Sequence, residues 1–283
     1  MKQANLGIDP LVALQHPDGS WGCLHSLSQP TPARPFTTEQ ALRRLQVLGL
    51  TRDDPPIQRA LDYLHAVMAH RAVPPDRREK GLHWDRFEQM IAAAWIRVFS
   101  PQDEPAREVA RFWAELMQGA LAGGTFDEQA YAQAYRQRIP PLHKGERLIS
   151  VAQFYMVTLL RGMLAPEADA AFVAHLLQAP GGIYYVYEGC LAQPPEVFAS
   201  RQTSRYLAAL ECLAGYRCAP EKLRFAADWL RAHRAQDGWD LGAAARDGIY
   251  FPRAASWRTA AQRRLDCTAR IEALLCALAG AGE

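Results

Sequence analysis

The sequence predicts an all-α protein on three observations. Apolar residues recur at helical spacing from end to end, and strand-like alternation is confined to "GGIYYVY", Gly181 to Tyr187. Glycine–aromatic turns separate the periodic segments, most clearly in "LQHPDGSWG", Leu14 to Gly22, and "HRAQDGWDLG", His233 to Gly242.

Spacing places the first helices over Thr38 to Leu48, Ile57 to His70, Asp85 to Phe99 and Ala106 to Leu121. Thr37 and Thr38 ahead of Glu39 form a start signal, and Asp53 and Asp54 read as a turn and cap before Pro55 and Pro56. "LAGGT", Leu121 to Thr125, reads as a helix stop. Further helices are predicted over Arg147 to Leu164, Ala168 to Gln178, Ser200 to Gly215, Pro220 to His233 and Arg263 to Leu278.

Composition narrows the functional classes. The 283 residues are 49% hydrophobic and 22% charged, which is ordinary globular usage and long enough for one large domain. Thirty-two Lys and Arg against 30 Asp and Glu leave a net charge of +2, so no basic face for nucleic acid is implied. "MKQANLGIDP" lacks a signal-peptide core and no apolar run approaches the roughly 20 residues of a membrane span, so a cytoplasmic protein is expected. Cys23, Cys190, Cys212, Cys218, Cys267 and Cys276 form no C-x-x-C pair and read mostly as small buried thiols.

The punctuation is an internal repeat. "QAPGGIY", Gln178 to Tyr184, aligns without gaps on "QHPDGSW", Gln15 to Trp21, with weaker echoes at Gly81 to Trp84 and Gly124 to Phe126. With Gly238 and Trp239 these marks indicate stacked helical hairpins, in which glycine supplies the positive φ and the aromatic ring packs over the junction.

The glutamine, the D-G-x-W-G turn and the helix that follows resemble the squalene-hopene cyclase and protein prenyltransferase β-subunit superfamily. That resemblance implies one α/α toroid over residues 1–283, with about five hairpins around a central cavity. "LDCTA", Leu265 to Ala269, is similar to the D-x-D-D-T-A segment of class II terpene cyclases, with Asp266 at the middle acid and Arg264 and Cys267 at its neighbours. Asp266 is therefore the candidate catalytic residue. An adjacent guanidinium favours the carboxylate and opposes proton-initiated cyclisation. Prenyltransferase zinc is held by an aspartate, a cysteine two residues later and a downstream histidine; here Cys267 adjoins Asp266 and no histidine follows His233. No metal ligand is assigned, and the cofactor is left open.

Inner-helix N-termini favour anions, and the arginines near them, Arg147, Arg201, Arg205, Arg263 and Arg270, are candidate ligands for a diphosphate or carboxylate. Trp84, Tyr155, Tyr206 and Trp257 are candidate linings for an isoprenoid chain. The leading expectation is binding, with transformation open, of an isoprenoid diphosphate or similar amphipathic anion. Two alternatives stand beside it. One is a scaffold for a protein or peptide partner. The other is a glycan hydrolase or lyase, in which Asp85 and Glu88 share a helix face beside a sugar-stacking Trp84.

Overall fold

The computed structural model describes residues 7–26, 28, 31, 35–254 and 256–280. Among them it contains twelve α-helices, a short 3-10 turn at Ala243–Ala245 and no β-strand. The protein is all-helical, as its periodicity predicts. The "GGIYYVY" stretch makes only isolated bridges, Gln153 with Tyr184 and Ile183 with Tyr187. Too few residues alternate there to propagate a ladder.

The chain forms two compact units. Unit 1 takes Met1–Val109, Leu142–Ile149 and Asp247–Ser256, and holds α1 (Ile8–Ala13), α2 (Thr38–Val47), α3 (Pro55–Met68) and α4 (Trp84–Phe99). α5 (Glu104–Leu121) contributes residues to both units. Unit 2 holds α6 (Glu128–Arg138), α7 (Phe154–Leu160), α8 (Pro166–Gln178), α9 (Arg201–Leu213), α10 (Ala219–Lys222), α11 (Arg224–Ala232) and α12 (Ala260–Leu278).

In unit 1, α2 buries Ala41, Leu42 and Leu45, spaced for one helix face, and α3 buries Ile57, Ala60, Leu64 and Val67 on another. α3 packs chiefly on α4, whose Met90, Ile91, Ala94 and Trp95 are buried. Each fully buried Leu or Ile contributes on the order of 1.5–3 kcal/mol of transfer free energy. In unit 2, α7 packs on α9 and α11 on α12, around Tyr155, Leu159, Leu207, Leu210, Leu230 and Ile271.

Helix ends follow local chemistry. Thr37 caps α2 in a capping box with Gln40, and Ser200 caps α9 through the Thr203 amide. Gly124 adopts φ 75° just past α5, so "LAGGT" is a helix stop. Asp54 precedes α3 but its side chain caps nothing; it turns back to accept the Thr51 amide at 2.8 Å. Pro55 and Pro56 occupy the first helical positions and have no N–H to be capped.

Several elements differ from the sequence expectation. The helix expected over Arg147 to Leu164 is only Phe154–Leu160, because Gln153 is extended and bridges Tyr184. The helix from Pro220 to His233 is broken at Leu223 into α10 and α11. α1 and α6 have no counterpart among the predicted helices: α1 is six residues long and buries Leu11, and α6 buries Tyr131 and Tyr135, stripes too sparse to stand out.

The glycine–tryptophan turns at the two ends share their bonding, each within its own unit. The Trp21 indole donates to the Leu11 carbonyl at 2.8 Å and its amide to Thr38 Oγ1 at 3.0 Å. The Trp239 indole donates to the Leu230 carbonyl at 2.6 Å and its amide to Thr268 Oγ1 at 3.0 Å. Thus each tryptophan binds the helix before it with its ring and the helix after it with its backbone. Gln15 adds a third tie in unit 1, donating to the carbonyls of Gly19 and Pro56, both at 2.9 Å. Trp21→Phe keeps the ring and deletes the donor, and urea denaturation should show a loss of about 1–2 kcal/mol for the orphaned carbonyl.

Candidate functional site

The predicted arginines separate by what they hold. In unit 2, Arg263 forms a two-pronged pair with Asp240, both bonds 2.9 Å, and Arg270 does the same with Glu211 at 2.6 and 2.8 Å. In unit 1, Arg147 lies 3.5 Å from Glu79. Arg201 and Arg205 differ. Among the described residues neither holds a hydrogen bond or ion pair, and both are exposed.

Local sequence explains their presentation. Ser200 Oγ and Thr203 Oγ1 both donate to the Val197 carbonyl, at 2.7 and 3.1 Å, and fix the chain's entry into α9. Arg201 and Arg205 then stand one turn apart on a common face of the first two turns, where the helix dipole favours an anion.

Aromatic rings gather at the same entry. Phe198, three residues before Arg201, stacks on His233 at 4.6 Å with an interplanar angle of 6° and leans on Trp229 at 5.3 Å. Trp229 meets the edge of Tyr206 at 5.6 Å, and Tyr206 meets Tyr187 at 5.3 Å. Phe198 and Trp229 are half-buried and His233 is exposed, so this end of the cluster reaches the surface. Tyr206 is buried, its hydroxyl donates to the Leu191 carbonyl at 2.9 Å, and burial raises its pKa well above the usual phenol value.

The predicted acid lies elsewhere in unit 2. Asp266 is buried on α12 and accepts the Trp257 indole N–H at 2.7 Å, so Trp257 is engaged as its donor. The neighbouring guanidinium groups hold other carboxylates, Arg263 that of Asp240 and Arg264 that of Asp237 at 3.1 Å. Burial would lift Asp240, but the bonds from Arg263 and the Gly242 amide outweigh it and leave its pKa below the usual carboxylate value. Burial pushes the adjoining Cys267 thiol up to about 11, so it is not a ready thiolate at neutral pH. Among the described residues, no three His, Cys, Asp or Glu side chains are grouped to hold a metal ion.

The other predicted aromatics are interior. Tyr155 is buried between Phe154 and Tyr185, at 5.6 and 5.8 Å. In unit 1, Trp84 is 7% exposed, so its face is not open to stack on a sugar, and its indole donates to Glu88 Oε1 at 2.6 Å. Glu88 itself is buried; desolvation raises its pKa despite the Trp84 bond and the Arg78 guanidinium 3.7 Å away.

No family model, curated protein or solved structure matches this chain.

No helix among the described residues is long and apolar enough to cross a membrane. Sequence reasoning missed Phe198, Trp229 and His233 as a cluster. The signal was present as a tryptophan and a histidine at i,i+4 spacing on one helix face, but their partner Phe198 lies some thirty residues earlier in the chain.

Proposed function

We propose that this protein is a divergent α/α toroid of terpenoid cyclase and prenyltransferase type that binds an isoprenoid diphosphate or a similar amphipathic anion. The observation that carries the binding site is the pairing of Arg201 and Arg205, which hold no carboxylate among the described residues, with the surface-reaching rings of Phe198, Trp229 and His233. In this reading the two guanidinium groups take the charged end through paired hydrogen bonds, and the rings cover the hydrocarbon. The toroid rests on the repeated turn, whose bonding is the same around Trp21 and Trp239. Asp266 is the acid to examine for any transformation of the bound molecule, because Arg263 and Arg264 are directed at other carboxylates.

Thermal shift with farnesyl diphosphate, inorganic diphosphate and farnesol tests the reading. Farnesyl diphosphate should stabilise the protein most, since a ligand at 100 times its Kd contributes about 2.7 kcal/mol. The Arg201→Ala/Arg205→Ala variant should lose that shift, and Phe198→Ala should weaken farnesyl diphosphate while leaving inorganic diphosphate unchanged. A full shift in the double-arginine variant, or none with any ligand in the native chain, overturns it. Val197, 63% exposed beside Phe198, favours a second reading in which the same surface takes an acidic, apolar peptide.

A further inference from the structure

Between α3 and α4, "VPPDRREKG", Val73 to Gly81, runs without helix and carries five charged residues between a proline pair and a glycine. Prolines donate no backbone hydrogen bond, and the crowded charges oppose helix packing. Among the described residues its backbone makes few bonds: the Glu79 carbonyl accepts from Leu82 at 3.2 Å, the Gly81 carbonyl from Arg147 at 2.9 Å, and the Pro75 carbonyl from the Cys23 thiol at 3.9 Å.

Side chains do most of the fastening. Asp76 accepts the amides of Leu24 at 2.6 Å and His25 at 2.9 Å and the Ser28 hydroxyl at 2.5 Å. Arg78, half exposed, lies 3.2 Å from Asp85 and 3.7 Å from Glu88 on α4. Glu79 lies 3.5 Å from Arg147, also with both partners well exposed. The Arg78–Asp85 and Glu79–Arg147 pairs are exposed and therefore weak and screened by salt, whereas Glu88 keeps only 6% of its side-chain surface.

These fastenings border a cluster of aromatic and acidic side chains. Glu88 joins Trp84, Trp84 tilts on Phe87 at 5.6 Å, and Phe87 lies 5.5 Å from the His25 ring. Tyr63 stands close enough to Asp76 and Glu88 for both to oppose its ionisation. Trp84, Phe87, His25, Tyr63 and Glu88 are all buried, with 4–7% of their surface remaining.

We propose that residues 73–81 form a detachable strap, fastened by Asp76 and Arg78, that opens without unfolding α3 or α4 and uncovers the patch of Trp84, Phe87 and Glu88. Regions with few backbone bonds and weak side-chain ties open at lower free energy than a packed helix pair. The strap belongs to unit 1, and the proposed anion site on α9 to unit 2.

Hydrogen exchange on the full chain tests this, read at the Leu24 and His25 amides and in the core of α4. In Asp76→Ala, Leu24 and His25 should exchange at least ten times faster than in the native chain while the core of α4 is unchanged. Arg78→Gln, which spares those amides' acceptor, should raise hydroxyl-radical labelling of Trp84 and Phe87 at least threefold, as should 0.5 M salt. Leu24 and His25 exchanging only together with α4 would overturn the strap. Faster exchange with labelling of Trp84 and Phe87 unchanged would overturn the uncovering.

Discussion

Gly19→Ala should destabilise the protein by about 2–5 kcal/mol, the sum of a left-handed alanine and a clash that packing cannot absorb. Gly19 has φ 92°, and an added Cβ would lie 2.1 Å from the backbone carbonyl oxygen of Arg59. That oxygen belongs to α3 and cannot rotate aside. Gly238→Ala meets an obstacle at the same distance, 2.1 Å, but here it is Thr268 Oγ1. A threonine side chain can turn away, at the cost of its bond to the Trp239 amide, so the loss should be smaller than at Gly19. Gly119, inside α5, provides the contrast. No heavy atom lies within 4 Å of the point its methyl group would occupy, and alanine there should stabilise by about 0.5–1 kcal/mol. Urea denaturation of the three variants gives the order, and equal losses at Gly19 and Gly119 would refute it.

Glu211→Ala should cost about 1–3 kcal/mol. Its partner Arg270 keeps only 6% of its side-chain surface, and the two bonds between them are short. Removing one member of a buried pair commonly costs about 3–5 kcal/mol, and the lower figure reflects solvent screening of Glu211, which is 37% exposed. Replacing both residues, Arg270→Met with Glu211→Leu, should return stability to within about 1 kcal/mol of the native chain, since neither charge is then stranded. The comparison also bears on function. If a diphosphate-induced thermal shift is found and survives the double replacement, Arg270 acts in holding α9 to α12, and the proposed ligand is left to Arg201 and Arg205.

Most of the helices were legible because their apolar stripes are dense. α2 and α3 begin where their threonine and proline signals place them, and α12 begins three residues before the predicted Arg263. Where the stripe misled, a tertiary bond was responsible: the apolar run before Phe154 reads as helix, yet Gln153 is drawn into a bridge with Tyr184. α6 hid for the opposite reason, having two buried tyrosines in an otherwise polar helix. The candidate site was half legible. Arginine-rich helix starts are visible in the residue order, but which arginines already hold a carboxylate is decided by distant partners, Asp240 for Arg263 and Glu211, 59 positions away, for Arg270. The turns at Trp21 and Trp239 were legible as a motif, but the echoes were not equivalent: Gly81 is not left-handed, and Tyr184, aligned on Trp21, is 46% exposed. The matching threonines, Thr38 and Thr268, belong to helices that follow at different intervals and showed no pattern.

The two tryptophan turns also differ in when a ribosome could let them close. The bonds of Trp21 itself reach only Leu11 and Thr38 and can form on a short nascent chain, whereas the Gln15 tie waits for Pro56. Trp239 must wait for Thr268 on α12, 29 residues further on. Unit 1 as a whole waits nearly as long, because it is completed only by Asp247–Ser256. Synthesis therefore leaves an early local tie beside a core that stays unfinished until Asp247–Ser256 emerges, and contacts of such long sequence separation form more slowly than local ones.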